Sequence, residues 1–175
     1  MKKVDTRSLV FCALFTALIA VLSQLQLPVG PVPISLATFG VMLCGLLLGW
    51  RLGALAVGAY ILLGAAGVPV FAGFQGGAAR LFGPTGGYIV GYLFYALLSG
   101  LNVPPLRERF WGRCLLLFLG TAACYLPGTA WFMYSTGRGL GESLTLCVIP
   151  FLPGDAAKIL LAAFLAPRLR KAMRI

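Results

Sequence analysis

An aspartate and a lysine three residues apart, Asp155 and Lys158, lie inside the apolar run FLPGDAAKILLAAFLA, residues 151–166. At that spacing a helix puts both on one face, roughly 4.5 Å apart along its axis. A carboxylate accepts hydrogen bonds and an ammonium donates them, so the pair can grip a small polar group from two sides. Charges at membrane depth are costly and are usually functional. A plainer account stays open: Asp155 caps the helix at its positive end, and Lys158 neutralises it or snorkels outward. Against that account, a lysine in an early turn opposes the helix dipole, and a cap needs no lysine.

Catalytic constellations are missing. The chain has four acidic residues and no histidine. It contains no H-E-x-x-H and no G-x-S-x-G, and no paired carboxylates. GPTGG, residues 83–87, is the nearest approach to a phosphate loop and lacks its lysine. The chain is therefore expected to be neither an enzyme nor an ATPase, and to use no cofactor. Cys12, Cys44, Cys114, Cys124 and Cys147 are odd in number and have no C-x-x-C spacing. Most sit in apolar runs, where cysteine acts as a small hydrophobe, so neither disulfides nor a metal site is expected.

The elements that position the pair follow from composition. The 175 residues are 60% hydrophobic and 10% charged, against about 25% charged in soluble domains. This excludes a water-soluble fold, and the chain reads as one all-α integral membrane domain, residues 1–175. Six spans are expected, near residues 8–24, 35–49, 52–67, 85–101, 111–134 and 151–167. The second and third are shorter than the ~20 residues that cross a bilayer core, and tilt or local thinning would accommodate them. The basic start before an apolar run lacks a signal-peptide cleavage pattern, so residues 9–23 are read as a retained first span.

The net charge of +10 could suggest nucleic acid, but its distribution fits a membrane topology. With the N-terminus inside, the cytoplasmic side collects Lys2, Lys3, Arg7, Arg51, Arg107, Arg109, Arg113, Arg168, Arg170, Lys171 and Arg174. The outer loops keep Arg80 and Arg138. The positive-inside rule then puts both termini in the cytoplasm. Topology and lipid headgroup contact explain this cluster more simply than specific anion binding.

On the outer side, QLPVGPVPIS, residues 26–35, carries Pro28, Pro31 and Pro33, which stiffen it. VPVFAGFQGGAARLFGPTGG, residues 68–87, is long, Gly-rich and apolar, with Arg80 its one charge. A loop so long and apolar between the third and fourth helices is expected to be a lid over a cavity or a re-entrant segment. Beneath it a pocket opens outward: Arg80 and Lys158 offer positive charge, and Asp155 accepts from N–H donors. Phe71, Phe74, Phe82 and Tyr88 cover an apolar middle. Gln75 and Thr85 are further candidates. Gly76–Gly77 and Gly86–Gly87 let backbone bend or approach a ligand. Gly83, Gly87 and Gly91, and the pair Ala13 and Ala17, have small-xxx-small spacing, for internal packing in the first set and a partner face or packing in the second.

Residues 67–92, GVPVFAGFQGGAARLFGPTGGYIVGY, together with PVPISLATFGVMLCGLLLGWRLGA, residues 31–54, and PFLPGDAAKILLAA, residues 150–163, resemble the BioY family. These are the biotin-specific S components of energy-coupling-factor (ECF) transporters. ALFTA, residues 13–17, resembles the family's AxxxA face on helix one. Ser35 stands where relatives often carry Thr, and no family pattern is matched around Trp131 and Arg138. The resemblance implies a six-helix plasma-membrane subunit of bacteria that binds biotin from outside. A transmembrane coupling subunit and a cytoplasmic ATPase pair would supply ATP hydrolysis, with Ala13 and Ala17 on the docking face. Asp155 would then accept from the ureido N–H, and Lys158 and Arg80 would serve the carboxylate or the ureido oxygen. Residue chemistry alone also admits an autonomous secondary transporter or facilitator of a small organic anion, or a ligand-free membrane scaffold.

Overall fold

The computed structural model describes residues 5–27 and 34–173. Pro28, Pro31 and Pro33 of the first outer loop lie outside the described residues, as do Lys2, Lys3 and Arg174 of the basic set. The described residues are mostly helical, with one short ladder and connecting loops. Helix α1 covers Thr6–Gln24. Strands β1 (Gln26–Leu27) and β2 (Ile34–Ser35) pair antiparallel, Gln26 opposite Ser35. Helices α2 (Ala37–Ala65), α3 (Ala79–Phe82), α4 (Gly86–Ser99), α5 (Pro104–Glu108) and α6 (Phe110–Thr136) follow. Then come α7 (Leu140–Cys147), one 3-10 turn (Ile149–Phe151) and α8 (Leu152–Met173). Among the described residues, α1, α2, α6 and the stretch Leu140–Met173 are long and apolar enough to cross a membrane, and α4 is a shorter apolar helix.

Helix α2 is broken at Gly49, which has φ 80° and ψ 174°. That region is open to glycine and strained for other residues. The arms, residues 37–48 and 50–65, fold back on each other: the Cys44 thiol approaches the Gly53 carbonyl at 3.8 Å. The break falls between the two spans expected at 35–49 and 52–67. It is pinned by Trp50 N–H donating to Gly100 O at 2.9 Å, and by the Arg107 guanidinium donating to Leu46 O.

Helix α4 packs between α2 and α6. In lipid, small residues give helices their close approach, and α4 shows why. A Cβ on Gly91 would lie 2.8 Å from Cys124 O, and one on Gly87 2.4 Å from the Trp131 Cβ. These glycines serve internal packing. Buried hydroxyls between the helices find partners: Thr16 donates to Ala56 O at 2.9 Å, and Tyr95 and Thr121 share a hydrogen bond of 2.9 Å; the buried Ser143 hydroxyl has none among the described residues. At the far end, Arg7 donates to Met173 O at 2.7 Å, so the start of α1 and the end of α8 meet.

The junction of the long apolar loop with α4 is the tightest point near the site. A Cβ on Gly86 would sit 1.7 Å from Leu81 O, a backbone atom with no rotamer to yield. Gly86→Ala is expected to destabilise the chain by about 3 kcal/mol. Thermal unfolding in detergent checks this, and an unchanged midpoint would contradict the packing described.

Candidate functional site

The apolar loop, residues 68–85, is strapped down rather than loose. Ser23 on α1 donates to Val70 O. The Gln24 amide donates to the carbonyls of Val70 and Phe71, each at 3.2 Å, and accepts from Phe74 N–H at 2.8 Å. Gly77 N–H reaches Gly64 O at 2.7 Å. Phe71 is driven into the space left by Gly64, where any Cβ would meet its ring at 2.1 Å, and stacks edge-on against Tyr60 at 5.5 Å. The loop thus roofs the bundle between α1, α2 and α4.

Asp155 and Lys158 sit in the first turns of α8, and their exposures of 4% and 8% make them a buried ion pair. Lys158 Nζ lies 3.1 Å from Asp155 Oδ1. It also donates to Ser35 O at 2.9 Å and Thr38 Oγ1 at 3.0 Å. All three ammonium hydrogens are therefore used. The Tyr125 hydroxyl on α6 donates to Asp155 Oδ2. A carboxylate has about four lone-pair sites, so Asp155 keeps accepting capacity while Lys158 has no spare donor. The snorkelling alternative fails here, while the ion pair itself neutralises Asp155 in the first turn of α8. Lys158 points inward and ties α8 to β2 and α2, and does not snorkel.

Two small cavities meet beneath the loop. One, of about 100 Å³, has Arg80, Thr85, Phe71 and Tyr60 in its lining. The other, of about 40 Å³, has Asp155, Lys158, Thr38 and Tyr125 in its lining. Ser35, Tyr88 and Tyr92 border both, so the charged groups stand at opposite ends of one interrupted space. Among the described residues, the Arg80 guanidinium makes no hydrogen bond or ion pair. Tyr88 is fixed by a 3.0 Å hydrogen bond to Thr129 and by Gly128, where a Cβ would strike its ring at 2.3 Å. A larger apolar groove of about 690 Å³, between the β1–β2 ladder and α8, also reaches Lys158.

Of the residues singled out from sequence, Asp155, Lys158, Arg80, Tyr88, Phe71 and Thr85 line these two cavities. Phe74 and Gln75 do not; both side chains are exposed. Gly86 and Gly87 are buried at the start of α4 and act by close packing. Trp131 donates to Gly83 O at 2.9 Å and ties the loop to α6 without lining either cavity. Ala13 and Ala17 are exposed on α1, on an apolar strip with Val10, Leu14 and Val21. Sequence reasoning missed Tyr125, Tyr92, Thr38 and Tyr60. A signal existed for Thr38: it is a hydroxyl at the head of the apolar run that forms α2, three residues after Ser35.

The BioY family model matches residues 1–175. A probable biotin transporter BioY of Pyrococcus horikoshii is 40% identical over 158 residues, covering 90% of this chain and 93% of that protein. A biotin transporter BioY of Thermotoga maritima is 38% identical over 165 residues, covering 94% and 96%. Among solved structures, an S-component for biotin from an ECF-type ABC transporter superposes with a TM-score of 0.89. It is 34% identical and covers 98% of this chain and 94% of that one.

Proposed function

The chain belongs to the BioY family, and from that premise we propose that it is the biotin-capturing subunit of an ATP-driven vitamin importer. It is a multi-pass membrane protein. The observation that carries the reading is the pair of cavities joined at Ser35, Tyr88 and Tyr92, with Arg80 at one end and Asp155–Lys158 at the other. Biotin has matching ends: a ureido ring with two N–H donors and a carbonyl, and a carboxylate on an apolar chain.

Asp155 accepts from the ureido N–H with the lone pairs that Tyr125 and Lys158 leave open. Lys158 keeps the carboxylate neutralised and oriented, and reaches the ureido oxygen by exchanging its Thr38 bond. Arg80 takes the biotin carboxylate in a charge-assisted hydrogen bond. Phe71, Tyr88, Tyr92 and Tyr60 flank the apolar middle, with Thr85 at the rim. The present cavities are smaller than the ~300 Å³ at which ligand pockets begin, so binding widens the space. The loop over residues 68–85 is the lid, which opens by releasing its bonds to Ser23, Gln24 and Gly64, with Phe74 and Gln75 on its outer surface.

The topology has six spans, counting the arms of α2 separately, with both termini in the cytoplasm. The Arg7–Met173 contact and the internal basic cluster support this. The chain resides in the plasma membrane. The strip around Ala13 and Ala17 faces a transmembrane coupling subunit, through which a cytoplasmic ATPase pair drives transport. Liposomes test the division of labour. The chain alone is expected to give no ATP-dependent accumulation of labelled biotin, and the chain with its coupling subunit, ATPases and ATP to accumulate it. Concentrative uptake by the chain alone under an ion gradient would overturn this reading in favour of a secondary transporter.

A further inference from the structure

A cavity of about 400 Å³ opens at the end of the bundle away from the biotin site, with Arg107, Arg113, Arg170 and Lys171 in its lining. It is formed where α5 and the first turn of α6 meet the end of α8. Two of the guanidiniums are held in place by backbone. Arg113 donates from Nε to Ala163 O and from Nη1 to the carbonyls of Arg107 and Glu108, each at 2.9 Å. Arg107 donates to Leu46 O. Burial and the neighbouring Arg170 charge pull the Arg107 pKa down, so the cations are gathered at an electrostatic cost that an anion would relieve. Glu108 also borders the cavity. Among the described residues, no ion pair joins it to Arg107, Arg113 or Lys171. Helix α6 starts here with no side-chain cap, which leaves the positive end of its dipole uncompensated.

The depth of the cavity indicates what fills it. Trp50, at the Gly49 break, and Trp111, at the start of α6, are both exposed, and exposed tryptophan marks the headgroup level of a bilayer. Ala166 and Pro167 supply an apolar wall on the bundle side. We propose that this cavity is a phosphate site, occupied by the headgroup of an anionic phospholipid from the inner leaflet. Basic pockets between helices on that side suit such headgroups. Arg107 and Arg113 provide guanidinium donors already fixed for a phosphate oxygen, and Arg170 and Lys171 close over it from α8.

The test uses the whole purified chain. Short-chain phosphatidylglycerol or phosphatidylcholine is titrated into detergent-solubilised protein, and bound lipid is counted by native mass spectrometry. The double variant R170Q/K171Q removes two cavity cations without touching the Arg107 and Arg113 carbonyl bonds. The control R51Q/R168Q removes two cations of the same membrane face that stack on Trp50 and Phe164 outside the cavity. Elution profile and circular dichroism establish that each variant is folded. The wild type and R51Q/R168Q are expected to prefer phosphatidylglycerol. R170Q/K171Q is expected to lose about thirtyfold in that preference, given ~1 kcal/mol for each of its two basic residues near a charged surface. Inorganic phosphate and glycerol 3-phosphate distinguish the sources: binding of either with the same variant pattern supports the site and assigns it to the free anion. Equal losses in both double variants, or no preference for phosphatidylglycerol in the wild type, overturn the proposal.

Discussion

Asp155→Ala is expected to cost about 3–5 kcal/mol of stability and to abolish tight biotin binding. The stability loss arises because Lys158 stays buried at 8% exposure with its counterion gone, and breaking one side of a buried pair costs that much. Tyr125 also loses its acceptor. The double variant Asp155→Ala/Lys158→Met separates structure from recognition. With both charges removed, stability should return close to wild type, since buried pairs are replaceable by apolar groups at little or no cost. Biotin binding should not return, because the acceptor for the ureido N–H is still absent. Thermal unfolding and calorimetry read the two effects. A double variant that binds biotin normally would reduce the pair to a structural staple.

Arg80→Gln carries the second large effect, with the opposite signature. Its guanidinium lines a cavity without a polar partner among the described residues, so its loss should leave the unfolding midpoint of the ligand-free chain unchanged. Biotin affinity should fall by about 10–100-fold, from ~1.5–3 kcal/mol for a hydrogen bond to a charged group. Biotin methyl ester identifies the end of the ligand involved. It should bind the wild type with a similar deficit, and Arg80→Gln should weaken it no further. If the ester were as sensitive to Arg80→Gln as biotin, the carboxylate would lie elsewhere.

The legible parts of this protein were those written in single residues against an apolar background. Asp155 and Lys158 stand out because nothing near them in FLPGDAAKILLAAFLA is charged. The Gly49 break was legible because Gly-Trp-Arg punctuates two hydrophobic runs at the headgroup level. Tyr125 was not legible. It lies 30 residues from Asp155 in a run where tyrosine reads as one more aromatic, and only the packing of α6 on α8 turns its hydroxyl toward the carboxylate. The apolar character of their loop points to Phe74 and Gln75 as pocket residues. The loop's own hydrogen bonds to Gln24 and Gly64 instead turn Phe71 inward and leave those two outside. Helices α3, α5 and α7 are too short for periodicity to reveal.

The most direct test of the central claim is calorimetric titration of biotin into the purified, detergent-solubilised single chain, without coupling subunit or ATPases. Saturable binding at one biotin per chain is expected, accompanied by a rise in the unfolding midpoint, since a ligand that binds only the folded state must stabilise it. A folded chain that takes up no biotin would contradict it, leaving the family's fold in place and the Asp155–Arg80 space without the ligand assigned to it.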